Sequence, residues 1–460
     1  MTELLFVGGT VLTSDGPRKA DVRVTDGVIT AIEEGATAGG AQVIDAVGRY
    51  VLPGAIDAHV HSRDPGFPEK EDFASLTAAA AAGGVTTVID MPNTVPAVDS
   101  AGVLEAKAAL AHSKARVDFG LWALIRSSST PEQVTALAEA GAIGFKAYLG
   151  YAFSLSRKQV LQSFDLSDPD LEAPPDYGTL ASLGPAMAQL GLPLAIHAED
   201  QGILHAFKRP YETYADILMA RPPEAEAVAI SAAAAVARQS GLHLHIAHLS
   251  SAAGLAAATE ASNAGASLSI ETCPQYLWLS VDDFPRLGNS MKILPPVRTE
   301  SDRNALREGL RRGQIEIVGS DHAPHTDEEK ARSLEEAPAG SPGVQTLYVS
   351  CLELALQMGD VWMAPRWVSE APARLVGLAD SKGRIAPGYD ADIVVVAPDE
   401  VTTIGAKGMH SRQRHSALDG LRTSFTIKSV YLRGTPVYYN GRVLKRAGGR
   451  MVRPATLPTG

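Results

Sequence analysis

The chain carries only two cysteines, Cys273 and Cys351, in 460 residues. That excludes a disulfide framework as the organiser of the fold and makes a reducing cytoplasm the expected setting. No stretch reaches the roughly 18 uninterrupted apolar residues that a membrane span needs, so a membrane partner is not expected. The opening Met1-Thr2-Glu3-Leu4-Leu5-Phe6 lacks the basic region and long apolar run of a secretory leader. Blocks of like charge are missing too: the net charge of −11 is spread along the chain, which argues against nucleic acid or an anionic membrane as a partner. What is present is a 45% hydrophobic and 20% charged composition over a length that exceeds one minimal domain. A large domain with a small one attached is expected.

The first fifty residues read as short strands, Leu4 to Val7, Thr10 to Leu12, Asp21 to Val24, Val28 to Ile32 and Gln42 to Asp45, broken by turns such as Asp26-Gly27. A matching pattern returns in Asp392 to Val396, Ile427 to Leu432 and Pro436 to Tyr439. The termini are therefore expected to meet in one small β domain, residues 1–52 with 379–445, followed by a tail over 446–460. Between them, over 53–378, short apolar runs alternate with Ala-rich helical segments, the rhythm of parallel strands with crossover helices. Eight strand candidates can be counted, at Ala55 to His61, Thr86 to Met91, Phe119 to Ile125, Ile143 to Leu149, Leu194 to Ala198, Leu244 to Leu249, Ser267 to Thr272 and Glu316 to Asp321. An α/β fold with a closed TIM-like (β/α)8 barrel and a β-sandwich built from both termini is the expectation. The polar, Pro-containing stretch Ser154 to Tyr177 reads as a long loop and candidate lid, and the tail as a disordered end or an arm over a neighbour.

His59 and His61 lie two apart at the end of the first strand candidate, so both imidazoles share one face and can grip one metal ion. Lys146 lies on the fourth candidate, His197 and His248 end the fifth and sixth, and Asp321 ends the eighth. In a barrel those ends build the active site. Taken singly, each has an ordinary reading as core histidine, snorkelling lysine or helix cap; their shared face points to chemistry. His112, His205, His243, His410 and His415 fall outside this face and are read as structural or surface residues.

The motifs Asp57-Ala58-His59-Val60-His61, Gly144-Phe145-Lys146, Ile196-His197-Ala198-Glu199-Asp200, Ile246-Ala247-His248-Leu249-Ser250 and Ser320-Asp321-His322-Ala323-Pro324-His325 together resemble the cyclic amidohydrolases, the group of dihydroorotase, allantoinase and hydantoinase (dihydropyrimidinase). The resemblance spans nearly the whole chain. It implies two zinc ions, with manganese or cobalt also compatible with such ligands. His59, His61 and Asp321 would hold one, His197 and His248 the other, and an N6-carboxylated Lys146 would bridge them. It further implies a hydroxide available near neutral pH that attacks the ring amide, Asp321 as the catalytic acid and base, and a homodimer or homotetramer.

Substrate motifs divide. Arg63 and Asn93, with His325, match the residues that recognise the substrate carboxylate in dihydroorotases, a task that suits the planar guanidinium. The alternative is that Arg63 pairs with Asp64 or Asp72 and that Asn93 only makes a turn before Pro96. Cys273-Pro274-Gln275 replaces the usual Cys-Pro-His, Leu294 stands where Asn is usual, and Tyr151, five after Lys146, matches the tyrosine that polarises the carbonyl in dihydropyrimidinases. The segments Val117 to Trp122 and Ala220 to Glu226 look more like allantoinases, which typically lack an arginine matching Arg63. The resemblance thus implies a small cyclic amide or ureide as substrate, dihydroorotate first, with allantoin and hydantoins as alternatives. A non-catalytic scaffold relative is the reading from another class; such relatives usually lose metal ligands, and here all six positions are filled.

Overall fold

The structure, a computed structural model, describes residues 3–13, 15–444 and 448–455. Eight parallel strands, Ala55–Val60, Val85–Asp90, Asp118–Ile125, Gly144–Tyr148, Leu194–His197, Leu244–Ile246, Leu268–Thr272 and Ile317–Val318, pair in chain order. The last meets the first through the backbone: His61 N donates to His322 O at 2.8 Å, and Ser320 N donates to the buried Asp57 carboxylate at 3.0 Å. All eight expected strands are therefore present, six of them shortened at their carboxyl ends. Strands buried on both faces read as continuous apolar runs, which explains their legibility.

The crossover helices start and stop on local signals. An Asp72 capping box opens Phe73–Ala82, and Thr130 with Pro131 opens Pro131–Ala140, which ends on Gly141 at φ 105°. Gly241, at φ 75°, ends Pro223–Ser240.

Both termini enter one nine-stranded sheet, with Tyr50–Pro53 paired to Ile393–Thr403 at the junction. Phe6 and Tyr431, on strands that are not neighbours, meet edge to face at 4.9 Å. The sheet therefore curls over a core of its own, sandwich-fashion. Period-two alternation divides the labour of the junction strand: Ile393 and Val395 enter that small core, while Val394 and Val396 pack on the barrel.

Lys382 ties the two parts together. Its buried ammonium contacts Asp118 at 2.9 Å, Asp390 at 2.9 Å and Asp392 at 2.7 Å, and Arg433 also pairs with Asp118. These three carboxylates are close enough to hold a cation, and the lysine is that cation.

Two expectations are corrected. Residues 154–177 are not a free loop: Gln159–Leu161 and Leu171–Glu172 pair with Ala152–Ser154, Ala97 N donates to Lys158 O at 2.9 Å, and Arg126 joins Asp99 at 2.8 Å to Glu172. Strands this short and polar carry little periodic signal. The tail is neither a loose end nor an arm over a neighbour in its described part, 448–455. Phe119 N donates to Arg450 O at 3.0 Å and Val452 N donates to Phe119 O at 2.8 Å, so it lies against its own barrel. The remaining tail residues, 446–447 and 456–460, lie outside the described residues.

Candidate active site

The residues singled out in the sequence converge at the carboxyl ends of the barrel strands. His59 Nε2 and His61 Nε2 approach Asp321 Oδ1 at 3.5 and 3.2 Å, and the three residues offer ligand atoms within 4.8 Å of one another. Each imidazole is held from behind. His59 Nδ1 donates to Glu271 Oε1 at 2.8 Å, and His61 Nδ1 donates to Asn93 Oδ1 at 2.7 Å. Such bonds fix the tautomer that leaves Nε2 free to ligate. Burial pushes the His61 pKa down to about 4, so this ring is neutral. Burial also disfavours the charged Asp321, yet His59, His61 and Lys146 hold its pKa below the ordinary carboxylate value.

His197 and His248 form the opposite half. His197 Nε2 donates to Glu199 Oε2 at 2.6 Å, which leaves a lone pair on Nδ1, and that atom faces His248 Nε2 at 2.9 Å. Two nitrogens about 2.0–2.1 Å from a shared ion can be that far apart. His248 Nδ1 has no partner among the described residues. Glu199 in turn pairs with the buried Arg221.

Lys146 is fully buried and its Nζ has no hydrogen-bond partner among the described residues. Burial lowers its pKa to about 8, which gives the amine a neutral, nucleophilic fraction near neutral pH. An orphaned buried amine among carboxylates and imidazoles fits a site completed by a further anionic group and by cations. The donor set of imidazole and carboxylate suits divalent transition metals.

His248 and Asp321 lie beyond their strands, with φ of 39° and 47°. Turning the chain into this region aims their side chains at the centre, at a conformational cost that ordinary residues seldom bear. The strand period alone could not have placed them.

Arg63, also at positive φ (61°), does not pair with Asp64 or Asp72. Asp64 binds Lys114 at 2.6 Å and Asp72 binds Arg412 at 2.6 Å. Its Nε donates to Pro324 O at 3.2 Å and its Nη2 lies 3.1 Å from His325 Nε2. Asp90 anchors this corner, accepting from Ser62 N and Oγ at 2.7 Å each and from Lys107 at 2.6 Å. Desolvation, with Arg63 and Lys70 nearby, keeps His325 neutral by pushing its pKa down to about 3. The Tyr151 ring lies against His197 at 4.6 Å, tilted by 40°, and its buried hydroxyl has no partner among the described residues. Leu294 is half-buried against the barrel core. Gln275 is buried, with its amide 3.4 Å from Ser320 O.

Sequence reasoning did not single out Glu271, the carboxylate behind His59. Its backing His245 Nε2 sits at 3.6 Å, and Gly319 leaves it room, since a Cβ there would lie 2.6 Å from Glu271 Oε2. An acidic residue inside the strand candidate ending at Thr272 was the available signal. Glu199 was quoted only within a motif, although two residues beyond His197 is the spacing that returns a side chain to the same side.

The amidohydrolase family model matches residues 50–437. An allantoinase of Bacillus velezensis is 34% identical over 464 residues, covering 99% of this chain and 98% of its own. A dihydroorotase of Halobacterium salinarum is 35% identical over 443 residues, covering 96% and 98%. A solved D-hydantoinase superposes with a TM-score of 0.89 at 28% identity over 100% of both chains. The dihydropyrimidinase from Brevibacillus agri does so with 0.88 at 27% identity, again over 100% of both. With this match across the barrel and the sheet, the chain belongs to the amidohydrolase family and, within it, to the cyclic amidohydrolases, hydrolases of the carbon–nitrogen bonds of cyclic amides.

Proposed function

We propose that this chain hydrolyses the ring amide of a cyclic ureide bearing an anionic substituent, with dihydroorotate as the leading substrate. The observation that carries the reading is Arg63: a desolvated guanidinium at the site, with Asp321 in electrostatic reach and no ion pair among the described residues. A half-buried, desolvated cation anchored through one nitrogen by a carbonyl is completed by an anion from outside.

His59, His61 and Asp321 would hold one divalent ion, zinc first, and His197 and His248 a second. Lys146 would bridge them once its neutral amine has added carbon dioxide, forming the N–C bond of a carbamate and releasing one proton. Bound there, such ions supply Lewis-acid polarisation of a carbonyl and acidify a water to a pKa near 7. Asp321 Oδ accepts the proton of the attacking water and delivers it to the departing ring nitrogen. Tyr151 offers its unpaired hydroxyl to the carbonyl oxygen as charge develops there. Glu271 and Glu199 hold the histidine tautomers; Glu271→Gln is expected to weaken metal retention about 10- to 100-fold in a chelator competition, and unchanged retention would remove that role.

A second reading, hydrolysis of allantoin, is favoured by the relatives. Asn93 accepts from His61 through Oδ1 and keeps its amide nitrogen for a ligand oxygen of either substrate, while allantoinases of about one-third identity are among the relatives. Assaying dihydroorotate, allantoin, hydantoin and dihydrouracil side by side decides. Dihydroorotate is expected to be turned over best, and Arg63→Ala to cut its kcat/KM about 100-fold. Preferred turnover of a substrate without an anionic group, unaffected by Arg63→Ala, would end the dihydroorotate reading.

A further inference from the structure

Tyr148 follows Lys146 by two on the strand Gly144–Tyr148, so both side chains point to the same face. Its side chain is 5% exposed, and its hydroxyl is buried with no hydrogen-bond partner among the described residues. The ring is fixed. It stacks on Tyr151 with centroids 5.6 Å apart and planes 14° from parallel, and Lys146 Nζ lies 5.2 Å from its centre.

The two tyrosines face different neighbours. Tyr151 sits against His197 at 4.6 Å, with Arg221 and Glu199 in electrostatic reach. Both have Asp321 in reach, but Arg63 is among the foremost electrostatic neighbours of Tyr148 alone, and Asp321 and Tyr148 are the foremost charged or ionisable neighbours of Arg63. Arg63 Nε is held by Pro324 O, and Asp321 Oδ1 faces His61 and His59, so neither contact supplies the Tyr148 hydroxyl with an acceptor. A phenol shut away from water without an acceptor is unfavourable, and a site keeps one where the ligand brings the acceptor.

We propose that Tyr148 is a specificity-determining residue whose hydroxyl donates a hydrogen bond to the anionic ring substituent bound by Arg63. The assignment rests on the anionic-substrate reading above. Arg63 supplies the charge and Tyr148 the direction, so a ring lacking the substituent leaves the hydroxyl unpaired as it is in the free enzyme.

Tyr148→Phe keeps the stacked ring and removes only the hydroxyl. Dihydroorotate and dihydrouracil share a ring and differ in the carboxylate, so the ratio of their kcat/KM values isolates the contact. With the zinc-loaded enzyme, Tyr148→Phe is expected to lower this ratio about 10- to 100-fold, with zinc content unchanged. A ratio that Arg63→Ala lowers and Tyr148→Phe leaves within twofold of the wild type would overturn the assignment alone. Loss of zinc from Tyr148→Phe, with both substrates falling alike, would also overturn it by making the hydroxyl a support of Lys146. A wild-type ratio at or below one would defeat the anionic-substrate reading, and this assignment with it.

Discussion

Replacing Asp321 by Asn is expected to lower turnover by about 10²- to 10⁴-fold while much of the metal is retained. The substitution keeps the shape of the side chain and an oxygen that can face His61 Nε2, now 3.2 Å from Oδ1. It removes the ability to take a proton from water and pass it to a leaving nitrogen. Asp321 is suited to that exchange because opposing influences act on it: burial favours the protonated form, and His59, His61 and Lys146 favour the charged one. The check is kcat at saturating substrate alongside metal content by atomic absorption. A rate equal to that of the parent enzyme would rule the role out, and a metal-free protein would recast Asp321 as a ligand first.

The second large effect lies far from the chemistry. Lys382→Met is expected to destabilise the fold by about 3–5 kcal/mol, because it leaves buried carboxylates without their cation. Asp118 and Asp392 are 1% and 5% exposed at the side chain, and the Arg433 guanidinium pairs only with the first, its backbone N–H being all it gives the second. Burial opposes the charge on Lys382, but Asp392, Asp118 and Asp390 outweigh it and raise its pKa above the ordinary 10.5. A group raised in the folded state contributes its full stabilisation below the unfolded pKa and loses it as pH climbs through the folded one. The parent protein should therefore keep this contribution through neutrality and shed it only at strongly alkaline pH. Denaturant unfolding at pH 7 and at pH 11 measures both statements; a variant as stable as the parent at pH 7 would refute the first.

The sequence made the barrel legible because strands buried on both faces are predominantly apolar, and their helices are capped by local signals such as Asp72 and Thr130. His59 and His61 were legible for a related reason, since period two puts them on one face. His248 and Asp321 were placed at strand ends, yet their backbones leave the strand, and only the folded chain shows how they are aimed. Glu271 and Lys382 were not singled out because most of their kind lie on surfaces, and nothing local distinguishes the few that burial selects. The small sheet over 152–172 escaped for want of length, and the tail because its partner is the backbone of Phe119, hundreds of positions earlier.

The pairing of Tyr50–Pro53 with Ile393–Thr403 has a consequence for biosynthesis. A ribosome delivers the first strands of the sheet long before their partners exist, so the nascent chain carries an unpaired edge while the entire barrel is being made. Contacts of such sequence separation are slow to form, and exposed edges invite association with other chains. Completion of the sheet is a late event, in which the strands from Ile393 onward close the work of those before Pro53.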